Sequence, residues 1–363
     1  TMKRVWSFLL VSVLLLCLVM AGCTQQAPAS ADGDGAQTGD QASEETFELT
    51  FNYFGPEMIP PGHWSEEAAK TIEEKTNGRV KINTYYSESL LTYGDTITGT
   101  ASGVADIAFV DAGLLAGQFD LNMVLSRFIP ATPPQTVVTQ AFRELINTTP
   151  ELNAELEQKN LRWLSIIGTT GEHLHTVNKE VRVPADVKGM KVAVVGESAR
   201  WFESMGAAPV GVAAGDFYMS LERGLVGGQW AHWPAMFGFK LTEVTNYHTL
   251  FGDNGACLAF TGYLINNETW TSLPADLQEI LVEAYDWAGD GLIEANQEEV
   301  GLALESAKSE GNTLIELTPE ELALWEDSMK PINEEWMEST EAKGKPAQAT
   351  YDKLFELIDK YNQ

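Results

Sequence analysis

The sequence predicts an α/β fold of two lobes with a long helix spanning both. Three observations carry this expectation. Residues 47–111 alternate strand-like and helix-like patterns at βαβαβ spacing, the alternation restarts at His173, and residues 275–310 contain few helix breakers.

The elements follow in order. Phe47, Leu49, Phe51 and Tyr53 alternate with polar residues, the period of a strand with one buried face. Pro60-Pro61-Gly62 interrupts that pattern, a helix is expected over 65–75, and Asn77-Gly78 stops it. Strands are expected at 80–85 and 106–110, with a helix at 93–101 between them; the second strand ends in Asp111-Ala112-Gly113. A helix near 136–147 and a strand at 161–167 complete the first unit. In the second unit, strands are expected at 173–177, 191–195 and 226–230, and helices near 198–205 and 216–223. A further strand at 256–264 follows. Pro274 can open the next helix. An unbroken helix of about 35 residues would extend about 50 Å at ~1.5 Å per residue, enough to cross between lobes. Thr318-Pro319-Glu320-Glu321 is a capping signature for the helix after it. One lobe is expected to comprise 47–170 with about 259–298, the other 171–258 with about 299–345, and 346–363 a C-terminal helix.

The chain carries Lys3 and Arg4, an apolar run over 5–20, and then Ala21-Gly22-Cys23. A basic start, a short apolar core and small residues before a break mark an export signal over 1–22. The run is too short for a transmembrane span. The placement of Cys23 resembles a bacterial lipobox, which implies lipidation of that residue. Residues 24–45 are small and polar, so 23–46 is expected to be a lipidated Cys with a flexible tether. Beyond Cys23 only Cys257 remains, so no intrachain disulfide is expected and apolar packing must hold the fold.

The formal charge of −29 comes from 52 acidic and 23 basic residues, which makes nucleic acid a poor partner. There is no GxSxG elbow, no HExxH and no glycine-rich phosphate loop. Ser198 falls at a helix start, but no His and Asp spacing supports a triad, and Cys257 in an apolar stretch reads as packing. A binding protein without catalysis, and with no cofactor, is expected.

Parallel strands bind ligands beyond their carboxyl ends, here Asp111 in the first unit and Val195-Gly196 in the second. Two such units facing each other form a cleft for a small molecule. The stretch GGQWAHWP, Gly227 to Pro234, brings two indoles and an imidazole to that region, so Trp230 and Trp233 are candidate pocket walls. Asp111 is a candidate pocket carboxylate or, alternatively, the cap of the segment that follows it.

Five segments carry a resemblance to a known family: EEKTNGRVKI (73–82), SGVADIAFV (102–110), PADVKGMKVAV (184–194), MGAAPVGVAAGDFYMSLERGLVGGQ (205–229) and NNETWTSLPADLQEIL (266–281). In this order, over roughly 47–345, the chain resembles the DctP-like solute-binding subunits of tripartite ATP-independent periplasmic (TRAP) transporters. The resemblance implies a periplasmic binding protein fold whose two lobes close on a small-molecule solute and deliver it to cognate TRAP membrane permease subunits. It also implies a periplasmic or cell-surface location, here membrane-anchored through Cys23, and a monomer is expected. In the family's terms, Trp64 lies where the first loop meets the cleft, and Glu197 follows the loop that holds ligand.

The chain departs from the family at the carboxylate-binding positions. The Arg of the family's K-I-R-V-P strand matches Ala193, a second Arg has only His173 in its region, and the Asn of V-D-G-Q-E-N matches Ala231, after Gln229 and Trp230. An Arg fork binds carboxylate through parallel charge-assisted bonds, and a carboxylate buried without its cation carries a desolvation penalty. The expectation is therefore a small amine-bearing or neutral polar solute, with Asp111 and Glu197 available to an ammonium and Trp64 and Trp230 offering ring faces. The alternative is an organic acid held by Arg200, or by a bridging metal with Gln229 and Glu268 as ligands. A structural envelope lipoprotein is the remaining reading.

Overall fold

The computed structural model describes residues 45–363. The export segment, Cys23 and nearly all of the tether lie outside the described residues. The first sheet draws on β1 (Phe47–Asn52), α1 (Pro60–Lys75), β2 (Val80–Tyr85), α2 (Thr96–Ala101), β3 (Ile107–Asp111), α3 (Ala112–Leu115), α4 (Gln135–Thr148), α5 (Pro150–Glu157) and β4 (Leu161–Gly168). The chain then builds β5 (His173–Thr176), β6 (Lys191–Ala193), α6 (Gly196–Ser204), β7 (Ala208–Val210), α7 (Phe217–Glu222), β8 (Gly228–Ala231), α8 (Trp233–Gly238) and β9 (Tyr247–Leu250). It closes with β10 (Phe260–Asn266), α9 (Asn267–Ser272), α10 (Ala275–Ser309), β11 (Thr313–Glu316), α11 (Pro319–Glu341) and α12 (Ala347–Tyr361).

Two sheets result, in the orders β2-β1-β3-β10-β4 and β11-β9-β5-β8-β6-β7. In each, one strand runs against its neighbours. β10 is antiparallel to β3 and β4, and β5 is antiparallel to β8 and β9. These are the first strands after the two loop crossings, β4 to β5 and β9 to β10, so there the chain enters each sheet in the reverse sense; β11, reached through α10, is parallel to β9. The crossing segments are bonded to one another: Thr169 N–H donates to the Ala259 carbonyl, and Glu172 and Ala256 exchange both backbone bonds. A third segment joins them, since Cys257 N–H donates to Ile129, Leu258 N–H to Arg127, and Thr132 N–H to Gly255. Gly255 has φ +83°, and a Cβ there would fall 2.4 Å from the Gly171 carbonyl carbon. Only glycine fits both the conformation and the approach.

α10 is the long helix spanning both lobes. Its N-terminal part packs Leu277, Leu281, Tyr285 and Leu292 into the core of the first sheet, and Ala303 and Ala307 join the core of the second. It rests on α1 and β4 at one end and α8 at the other. Trp64 of α1 closes tightly on it: a Cβ at Gly291 would lie 2.5 Å from the indole ring.

Several elements differ from the sequence reading for physical reasons. Pro60 and Pro61 occupy the first helical positions of α1, where a missing N–H and a fixed φ are tolerated, so they start the helix. The strand expected at 256–264 forms at Phe260–Asn266, because the residues before it make the crossing. The capping signature at Thr318 is a complete capping box with Glu321.

Candidate ligand-binding site

β6 and β8 are parallel neighbours with Ala193 opposite Gln229. Past their carboxyl ends, the first turn of α6, Glu172 of the crossing, Phe217 of α7 and His232 and Ala235 of α8 enclose a cavity of about 230 Å³. Ala193, Val194, Val195, Ser198, Val212, Gln229, Trp230 and Ala231 complete its wall, with neither Lys nor Arg. The chain turns from β6 into α6 at Gly196, whose φ of +64° suits a residue without Cβ.

Successive residues of β8 face opposite sides. Trp230 packs edge-on against Trp201, Phe202 and Phe251. Gln229 and Ala231 face the other way. Both Trp230 Nε1 and Gln229 Oε1 are buried without a hydrogen-bond partner. Burial pushes the Glu172 carboxyl up to about 7, and the nearby Trp230 indole N–H pulls the other way. That N–H does not reach hydrogen-bonding geometry. His232 Nδ1 accepts the Ala235 N–H at 3.1 Å and caps α8, so the neutral ring carries its proton on Nε2. Burial lowers that ring to about 4.

The other expected site residues sit elsewhere. Asp111 accepts from Leu114 N–H (3.0 Å) as the cap of α3, and from the Tyr93 hydroxyl (2.9 Å). Burial raises its carboxyl above the ordinary value, while these bonds oppose the rise. Trp64 meets Trp287 edge-to-face on the α1–α10 side of the first sheet. His173 Nδ1 accepts the Phe251 N–H at 3.2 Å, and burial lowers the ring to about 3. His173 and Trp233 line a second cavity of about 120 Å³, with Gln135, Asn254 and Gln297. Trp233 also packs on His175 and His248. Glu197 Oε2 accepts from Arg127 at 2.7 Å. Arg127 is fully buried, stacks 4.5 Å from the Trp336 ring centre, and leaves Nη1 unpartnered. Arg200 is exposed and bound to Glu335, at 2.6 Å, on a separate surface depression. Glu268 lies in the first turn of α9, next to the first sheet. Among the described residues no group of three or more His, Cys, Asp or Glu is arranged to hold a metal.

Sequence reasoning missed Glu172 and Arg127, and it named Ser198 and the imidazole of His232 without assigning either to the site. Glu172 was visible as a charge set directly before the buried strand HLHT, and Arg127 as the lone cation in the apolar run after Phe119.

The profile of the DctP family, described as bacterial extracellular solute-binding protein family 7, matches residues 51–340. A solute-binding protein of Chromohalobacter salexigens is 31% identical over 54% of this chain, and the match spans 58% of that protein. The C4-dicarboxylate-binding periplasmic protein DctP of Rhodobacter capsulatus is 26% identical over 82% of this chain and 88% of its own length. Among solved structures, a TRAP periplasmic solute-binding protein of Desulfovibrio salexigens has a TM-score of 0.75 at 25% identity, covering 86% of this chain and 96% of that one. A TRAP solute-binding protein of Rhodoferax ferrireducens, in complex with copurified benzoate, has a TM-score of 0.73 at 20% identity, covering 87% of this chain and 98% of its own.

The acids named for these relatives overturn the expectation of an amine-bearing or neutral polar solute. The structure removes its physical basis as well. Asp111, the carboxylate offered to an ammonium, is engaged by its own helix and Tyr93, and Glu197 by Arg127. The two-lobe fold, the cavity at the strand ends and the profile match over most of the chain lead to one assignment: the chain belongs to bacterial extracellular solute-binding protein family 7 and is a TRAP-type solute receptor, a transport component and not an enzyme.

Proposed function

We propose that this receptor binds a small organic acid in the cleft and presents it to the membrane subunits of a TRAP transporter. The observation that carries the reading is the cavity at the carboxyl ends of β6 and β8, whose wall holds the Trp230 indole N–H, a donor that falls short of a hydrogen bond to Glu172 and that only an acceptor can complete. Buried polar atoms without partners cost stability, and a ligand that completes them recovers it. The acids held by or named for the relatives support the chemical class. Arg200 contributes no charge to this cavity, because it lies at the surface with Glu335. The lobes, with their limits near residues 170 and 258, close about the two crossing segments and the segment bonded to them. Cys23, lipidated, anchors the exported protein to a membrane through its tether.

A thermal-shift screen of monocarboxylates, dicarboxylates, uronates, amines and polyols tests the reading. A ligand at 100 times its Kd stabilises the fold by about 2.7 kcal/mol, enough for a clear rise in Tm. At least one acid is expected to give that rise, with the shift unchanged after chelation. A screen in which amines shift Tm and no acid does would refute the reading.

A further inference from the structure

We propose that the second cavity receives an uncharged oxygen of the solute, a hydroxyl or a carbonyl, at the Nε2–H of His173 and the Nε1–H of Trp233. This rests on the organic-acid reading and names the class of acid: one that carries a hydroxyl or keto group beside its carboxylate. The cavity is about 120 Å³ and draws on both lobes and the segments that join them. Gln135 comes from the start of α4, Asn254 from a crossing, Gln297 from α10 and Trp233 from the start of α8. Liquid water takes about 30 Å³ per molecule, so the space suits a group of a few non-hydrogen atoms.

Two donors face this space. His173 Nδ1 accepts the Phe251 backbone N–H at 3.2 Å, and burial lowers the ring to about 3, so the neutral imidazole carries its proton on Nε2. That N–H has no acceptor among the described residues, and neither has the Trp233 indole N–H. His173 is 1% exposed and Trp233 3%, yet neither nitrogen is sealed off. The sliver of each side chain that stays open includes the nitrogen, and both side chains line the cavity. The two rings pack on each other with centres 5.7 Å apart, so both N–H groups belong to one small region.

No internal group answers these donors. The charges acting on His173 are those of His248 and His232, with no carboxylate among them, and Asp253 stands exposed where it meets the cavity. Gln135 Nε2 donates to the Gly168 carbonyl at 2.8 Å, and its Oε1 is sealed from the cavity. An indole N–H and the N–H of a neutral imidazole only donate, so what completes them must be an acceptor. The wall holds neither Lys nor Arg. A carboxylate here would be buried without a cation, a penalty that a hydroxyl or carbonyl does not carry. Glu172 and His173 are consecutive, as are His232 and Trp233; the first of each pair lines the cavity at the strand ends and the second lines this one. The two cavities are therefore neighbours, within reach of one small solute.

The test is titration calorimetry of two pairs, mandelate against phenylacetate and malate against succinate, with the wild type, W233F and H173N. W233F keeps an aromatic ring and removes the N–H. H173N keeps an acceptor for the Phe251 N–H and removes the Nε2 donor. In the wild type, the hydroxylated member of whichever pair binds should be about tenfold tighter than its parent. In each variant that ratio should fall toward unity, and a ratio is insensitive to general damage to the cleft. In the wild type, the Trp233 indole N–H resonance, identified by its loss in W233F, should move with the hydroxy acid and stay in place with its parent. Equal affinity within each pair, with that resonance unmoved, would mean that water completes the donors; it would overturn the subsite and leave the organic-acid reading standing. A ratio unchanged in both variants would overturn it as well. If none of the four acids binds the wild type, the organic-acid reading fails for this panel and the subsite falls with it.

Discussion

Glu172 shows how a single buried carboxyl makes folding stability depend on pH. Burial raises it to about 7 from an ordinary value near 4.5. Between those values the folded protein keeps the proton while the unfolded chain releases it. Folding therefore loses stability as pH rises from about 4.5 to 7, by an order of 1–3 kcal/mol in total. Glu172→Gln should unfold at higher denaturant than wild type at pH 8, and the difference should vanish near pH 4. Equal midpoints at both pH values would contradict the assignment. The histidines act in the opposite sense. His175 Nε2 donates to the Ala231 carbonyl (3.1 Å), so its Nδ1 accepts from His248 Nδ1 (2.7 Å), and His248 Nε2 accepts from the Asn312 amide (3.0 Å). This chain needs both rings neutral. Burial lowers His173 to about 3 and His232 and His248 to about 4, and holds His175 well below its ordinary value. Their contribution is complete above about 6.5 and is lost as pH falls toward 4. Urea midpoints should drop across that window, partly offset by Glu172 above 4.5. His248→Gln should flatten the slope by about one proton's worth.

Which residues were legible follows from how they act. GGQWAHWP announced Gln229 and Trp230 because indoles and amides clustered at a strand end are visible in one dimension. Asp111 had two readings from sequence, and its bond from Leu114 N–H realises the cap. Arg127 and Glu197 are 70 positions apart and meet only through the crossing, so no local pattern joins them.

At the scale of elements, α10 was legible because a helix needs only an absence of breakers and a buried stripe. β9 and β11 were not. Each is four residues long, and they pair with one another at the end of the second sheet, where length and alternation carry little signal. The start of α1 was misread because prolines break helices in their interior but open them at the first turn. Helix packing gives a sharp prediction here. Gly291→Ala should gain about 1 kcal/mol of helix propensity. The new Cβ, however, would sit 2.5 Å from the Trp64 ring. Overpacking of this kind costs about 1–3 kcal/mol, so the net effect is destabilising or at best neutral. A raised Tm would show that Trp64 has room to move. Thr318→Ala removes the acceptor of the α11 capping box and should cost about 1 kcal/mol in chemical denaturation.

At the scale of the molecule, the two lobes share one long helix and two crossing segments, with a third segment of the first lobe bonded to them. Closure about such a hinge alters few contacts inside either lobe, which is what a receptor needs to bind and release. Small-angle scattering should show a smaller radius of gyration with a bound acid than without, and no compaction under saturation would argue against closure. Mass spectrometry of natively expressed protein should find an acylated amino terminus at Cys23; an unacylated mature form would remove the anchor. The family was legible from five ordered segments, but the solute class was not. Loss of the usual Arg was read as loss of the acid, whereas neutral donors also receive an acid's oxygens. Titration calorimetry of metal-free receptor against matched acids and amines decides whether the ligand is an organic acid. Saturable one-to-one binding of at least one small carboxylate is expected, and none of the corresponding amine. Saturable binding of the amine with no heat from any acid would contradict it.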